Sequence, residues 1–152
     1  MVSFEDIKEM AISWSKEYCQ ALNDSDEYKE AAKGWGVDFE GAMLFIMGAS
    51  GELEDNITAF IDLKDGECLG ITVLAPGEDP PRKPGMELKA PLSIWKKLAF
   101  KDLNPVQALM TGELQLEGDM QLAMKYSQAA MMLADLTEKT NRSIFTKYDV
   151  GD

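Results

Sequence analysis

Histidine is absent from the 152 residues. The commonest general base and the commonest metal ligand are missing together, so neither a Ser-His-Asp nor a Cys-His centre can be assembled. No metal and no cofactor is expected. Positive charge is scarce as well: 15 Lys and Arg stand against 27 Asp and Glu, a net charge of −12. A field of that sign repels phosphates and anionic membranes at long range, which argues against nucleic acid as a partner. Long apolar runs are missing too. The longest stretch free of charge is Gly41–Gly51, whereas a membrane-spanning helix needs about 20 residues, so stable membrane insertion is not expected. Glu5, Asp6 and Glu9 stand where a secretory leader has basic and then greasy residues, and Val150-Gly151-Asp152 matches no retention or peroxisomal address. A cytoplasmic location is the expectation. Only two cysteines occur, Cys19 and Cys68. Two free, buried thiols are expected, with a disulfide between them as the alternative.

What is present suits one domain of ordinary globular composition, 45% apolar and 28% charged. Residues 3–22 read as an amphipathic helix capped by Ser3 and Asp6, burying Phe4, Ile7, Met10, Ala11, Trp14, Tyr18, Ala21 and Leu22 within an arc of about 120°. A short helix spans 26–33 and ends at Gly34. Strands follow at 41–47, 56–63 and 68–74, the last two joined by a Lys64-Asp65-Gly66-Glu67 hairpin turn. Four of the six prolines lie within 75–85, which makes that segment a loop. The strand pattern resumes at Met86-Glu87-Leu88. Helices are expected at 94–100 and 105–111, the second opened by Asn104-Pro105 and closed by Gly112. Residues 113–117 alternate as a last strand, with Leu114 and Leu116 on the core face.

The final helix, from Asp119 to about Lys139, carries two apolar stripes. One holds Met120, Ala123, Met124, Met131 and Ala134. The other holds Leu122, Tyr126, Ala129, Leu133 and Leu136. An arc of about 240° therefore avoids water, so this helix must be covered on two sides. Ten methionines, eight of them after residue 40, are numerous for this length. Methionine adapts to variable apolar shapes, and Met110, Met120, Met124 and Met131 form the suggestive cluster. The tail from Asn141 is polar and is expected to be loosely held. Gly48-Ala49-Ser50-Gly51 has Glu52 where a nucleophile elbow has glycine, and Asp24-Ser25-Asp26-Glu27 lacks the glycine of a calcium loop.

The segment from Asn104-Pro105-Val106 through Gly112-Glu113-Leu114-Gln115-Leu116-Glu117-Gly118-Asp119 to Met124 resembles the signature of the sterol carrier protein (sterol-transfer) family. Phe60-Ile61-Asp62-Leu63-Lys64-Asp65-Gly66 resembles that family's central strands, and the order of elements fits over roughly residues 5–138. The resemblance implies an α+β fold, a five-stranded, mostly antiparallel sheet covered on one face by helices, with a hydrophobic tunnel between them. It implies one domain over 1–140, with 141–152 as a tail, and a non-catalytic carrier of fatty acids, fatty acyl groups or sterol-like lipids, monomeric or weakly dimeric. The residues expected to line the tunnel are Met43, Phe45, Met47, Phe60, Ile71, Val73, Trp95, Leu98, Met110, Leu114, Leu116, Met120, Met124 and Met131. Two rivals stand beside this reading: an accessory subunit using the same groove for a protein partner, and an enzyme with a buried carboxylate of raised pKa.

Overall fold

The computed structural model describes residues 1–151. Helix α1 (Phe4–Asn23) and the short α2 (Asp26–Ala31) precede β1 (Met43–Gly48), β2 (Ile57–Lys64), β3 (Glu67–Leu74) and β4 (Met86–Pro91). Then come α3 (Leu92–Ala99), α4 (Pro105–Thr111), β5 (Gln115–Glu117), α5 (Met120–Lys125), α6 (Ser127–Asp135), a 3₁₀ turn (Leu136–Lys139) and α7 (Ser143–Thr146). The sheet runs β3-β2-β1-β4-β5; β1 and β4 are parallel, and the other neighbours are antiparallel. The α+β class and the five-stranded sheet expected from the sequence are thus found.

Local signals in the sequence act where the chemistry requires. The Ser3 N–H donates to Asp6 Oδ2 at 2.9 Å and starts α1. Asp65 and Gly66, at φ 50° and 83°, form the tight turn between β2 and β3. Asn104 Oδ1 accepts from the Val106 and Gln107 N–H groups, and Gly112 ends α4 in the left-handed region at φ 82°.

Strand alternation divides the sheet's residues between two faces. Met43, Phe45 and Met47 of β1, with Ile57, Ala59, Ile61 and Leu63 of β2, join the helices in the main core. Leu44, Phe60, Leu74 and Ala42, with Ile46 beside them, form a smaller cluster on the other face. The proline-rich loop is pinned over that cluster. Arg82 lies 5.3 Å from the Phe60 ring centre and bonds Glu40 at 2.6 Å and Asp62 at 2.7 Å.

Three expectations are corrected. The last helix is not continuous: it breaks at Tyr126, where φ is −104° and ψ 32°. Each apolar stripe is therefore cut at the break, with members in both α5 and α6, and the 240° arc does not describe the surface of one helix. The tail is not loose. Ile144, Phe145 and Val150 are buried, the Ser50 hydroxyl donates to the Val150 carbonyl at 2.6 Å, and the Glu52 N–H donates to the Asp149 carbonyl at 2.6 Å. Its polar composition hid three apolar anchors. The cysteines are not free thiols: Cys19 and Cys68 form a disulfide, with Cα atoms 5.4 Å apart. The Asn23 side chain explains the approach. It exchanges two hydrogen bonds of 2.9 Å with the Cys68 backbone, tying the end of α1 to the edge strand one turn beyond Cys19.

Candidate functional site

A cavity of about 100 Å³ lies between the sheet and the helices. Its floor is Met43, Phe45 and Met47 of β1, Leu63 of β2, Met86 and Leu88 of β4, and Leu114 and Leu116 at β5. Trp14 and Tyr18 of α1, Tyr28 and Ala32 at α2, and Trp35 wall one side; Trp95, Leu98 and Ala99 of α3 wall another, with Pro105 and Leu109 of α4. The roof is Ala123, Tyr126, Ala129, Ala130, Leu133, Ala134, Thr137 and Phe145. No lining side chain carries a formal charge.

The space exists because its roof is built from short side chains. Six lining residues are alanines, and four of them, Ala123, Ala129, Ala130 and Ala134, come from α5 and α6. Aromatic rings brace the walls. Trp14 stacks on Tyr18 with centroids 4.8 Å apart, Trp35 meets Tyr126 edge-on at 5.1 Å, and Phe45 lies 4.9 Å from Trp95. Their polar tips are mostly engaged. The Trp35 indole donates to the Gly41 carbonyl at 2.9 Å, and the Trp95 indole donates to the Ile46 and Ala90 carbonyls at 3.1 Å. The Tyr18 hydroxyl donates to the Leu133 carbonyl at 2.6 Å. The Trp14 indole N–H is buried and has no acceptor among the described residues. Burial pushes the Tyr18 and Tyr28 phenols above the ordinary tyrosine range, so both stay neutral.

Seven of the expected residues line this cavity: Met43, Phe45, Met47, Trp95, Leu98, Leu114 and Leu116. The other seven do not. Phe60 points to the opposite face, under Arg82. Ile71 and Val73 share the helix-covered face of the sheet but lie on β3, the edge strand against which α1 packs. Met110 is 74% exposed and Met120 39% exposed. Met124 and Met131 are only partly buried and lie outside the lining. Of the stripe that carries these methionines, Ala123 and Ala134 reach the lining, while Met120, Met124 and Met131 do not. The α1 and α2 aromatics and Phe145 were missed. Trp14 and Tyr18 were visible on the buried stripe of the first helix, but no periodicity distinguishes a residue facing a void from one facing a packed core.

The enzyme reading required a carboxylate of raised pKa in the pocket. Among the described residues, the carboxylate raised in this way is Glu87. Hydrogen bonding to its cross-strand neighbour Glu117 is the first cause. Glu87 pairs with Leu44 in the sheet and faces away from the cavity, while its neighbours Met86 and Leu88 face in.

The sequence model of the SCP-2 sterol transfer family matches residues 16–131. A crystal structure of sterol carrier protein 2 superposes with a TM-score of 0.72 at 26% identity, over 84% of this chain and 95% of that one. The solution structure of a conserved hypothetical protein from Thermus thermophilus, possibly a sterol carrier protein, gives 0.71 at 26% identity, over 84% and 87%. A UbiJ-SCP2 ubiquinone synthesis protein shares the fold, with a TM-score of 0.51 at 17% identity over 86% and 93%. None of the curated proteins matches the sequence. No helix among the described residues is long and apolar enough to cross a membrane. With its sheet order, its covered apolar face and a family match spanning most of its length, the chain belongs to the SCP-2 sterol transfer family.

Proposed function

We propose that the protein binds and transfers lipids, holding the apolar part of a fatty acid, fatty acyl or sterol-like molecule in the cavity under α6 and performing no chemistry on it. The observation that carries this reading is the uncharged, aromatic- and alanine-lined space between sheet and helices. Each methylene transferred from water into such a site contributes about 0.8 kcal/mol, so a long chain needs no catalytic group to bind. Association and ordering offset a large part of that gain.

The cavity as it stands is smaller than a whole lipid. An apolar cavity of about 150 Å³ takes up benzene or xenon, and this one is about 100 Å³. Uptake of a long chain therefore displaces part of the helical cover. Helix α5 is the segment that can yield, because it buries none of its six residues and joins α6 through the break at Tyr126. Native mass spectrometry of freshly purified protein, followed by lipid extraction, tests the reading. A discrete added mass matching a lipid is expected. A bare protein that also refuses added fatty acid, fatty ester and long-chain hydrocarbon would sink the carrier reading and leave the accessory-subunit alternative. The setting proposed for the carrier is the cytoplasm.

A further inference from the structure

Buried side-chain donors almost always find an acceptor, and one left without costs about 1–3 kcal/mol. Trp14 breaks that pattern. It is 4% exposed, it lines the cavity, and its indole N–H alone among the buried side-chain polar atoms of the described residues has no partner. The other two tryptophans in the lining spend their N–H groups on the backbone. The same walls offer nothing to a charge. They hold no Lys, Arg, Asp or Glu, and the chain as a whole carries −12. An ionised carboxylate or phosphate drawn into such a space would be a buried charge without a counterion, which costs several kcal/mol.

We propose that the cavity selects uncharged lipids that carry a hydrogen-bond-accepting oxygen, an ester, ketone, ether or alcohol, which accepts from the Trp14 indole N–H. This rests on the lipid-carrier reading and narrows it. The ligand's chain lies along the apolar floor of Phe45 and Leu88, and its oxygen sits beside α1. An ionised fatty acid binds less well, because its head must either stay at the mouth or give up its charge on entry.

The test uses the whole ¹⁵N-labelled protein, whose three indole N–H signals are assigned by Trp→Phe substitution. Three probes are delivered from phosphatidylcholine vesicles: methyl palmitate, heptadecane and palmitate at pH 7. With methyl palmitate, the Trp14 indole proton is expected to move downfield and exchange more slowly with water, while heptadecane binds without that change. Palmitate is expected to bind at least about tenfold more weakly than its methyl ester. Trp14→Phe is expected to weaken methyl palmitate about 3- to 10-fold more than it weakens heptadecane, since both lose the same packing and only the ester loses a bond. The signal is read on the unsubstituted protein, so a misfolded variant does not decide the matter. Equal responses of the Trp14 signal to ester and hydrocarbon, or palmitate binding as tightly as its ester, would overturn the proposal while leaving the carrier reading intact. Failure of all three probes to bind would instead remove the carrier reading, and this one with it.

Discussion

The Phe145 ring meets the Trp14 indole edge-on, with centroids 6.2 Å apart. That contact joins the C-terminal segment to the first helix across the end of the cavity, and Phe145 is 2% exposed. Both residues lie outside the 16–131 stretch that the family model matches. The tail thus supplies a wall residue of the cavity from beyond the stretch that the family model matches.

Phe145→Ala is expected to destabilise the protein by roughly 3–5 kcal/mol, the usual cost of deleting a buried phenyl group. The enlarged cavity should also release a bound acyl-chain probe faster. Urea denaturation and probe-dissociation kinetics check both effects. An unchanged denaturation midpoint would mean that the tail does not pack here in solution.

Reduction of Cys19–Cys68 should lower the melting temperature without touching ligand affinity. The bridge closes a separation of 49 residues, which corresponds to about 4 kcal/mol on the chain-entropy account. Neither sulfur lines the cavity. Thermal unfolding with and without reductant, and with both cysteines replaced by serine, measures the first effect. A parallel lipid titration measures the second. A loss of binding on reduction would show that the bridge shapes the pocket.

Acid should weaken the cover over the outer face of the sheet. Hydrogen bonding to Arg82 holds the Glu40 carboxyl down at about 2, against an ordinary 4.5. A depressed folded-state value gives stability that is present above about 4.5 and is lost as pH falls toward 2. The group is about a third exposed, so solvent screening keeps the contribution to about 1 kcal/mol or less. Arg82→Gln should flatten the dependence of stability on pH across that window. An identical acid limb in the variant would show that the ion pair contributes nothing.

Much of the fold was legible because its signals are local. The strand alternation of Ile57, Ala59, Ile61 and Leu63, the Asp65-Gly66 turn, and the Asn104-Pro105 and Gly112 punctuation each act over a few residues, and each is found in place. The site was half legible. Met43, Phe45 and Met47 could be placed because a strand fixes which face each residue takes. The methionines after Gly112 could not, because their assignment assumed one unbroken helix. The break at Tyr126 leaves no sequence punctuation: neither proline nor glycine occurs between Asp119 and Asp152 except Gly151. The disulfide and the buried tail depend on long-range contacts, Asn23 with Cys68 and Ser50 with Val150, and no window of sequence contains both partners.

Alanine size, not methionine flexibility, should govern ligand uptake. Ala129 is buried in α6 and faces the cavity, while Met131, on the same helix, lies outside the lining. Replacing Ala129 by Leu adds three carbons to a space of about 100 Å³, and filling an existing void often raises stability by about 0.5–2 kcal/mol. Lipid affinity is expected to fall by at least about tenfold, since the chain competes with the new side chain for the same volume. The melting temperature should hold or rise, which separates blockage from unfolding. Met131→Leu and Met110→Gln, by contrast, should leave affinity within about twofold, because neither changes the lining. Calorimetric lipid titrations of the three variants decide between the two surfaces. Should Met131→Leu weaken binding as much as Ala129→Leu, the lipid is held on the methionine-bearing side of α6 and not in the cavity beneath it.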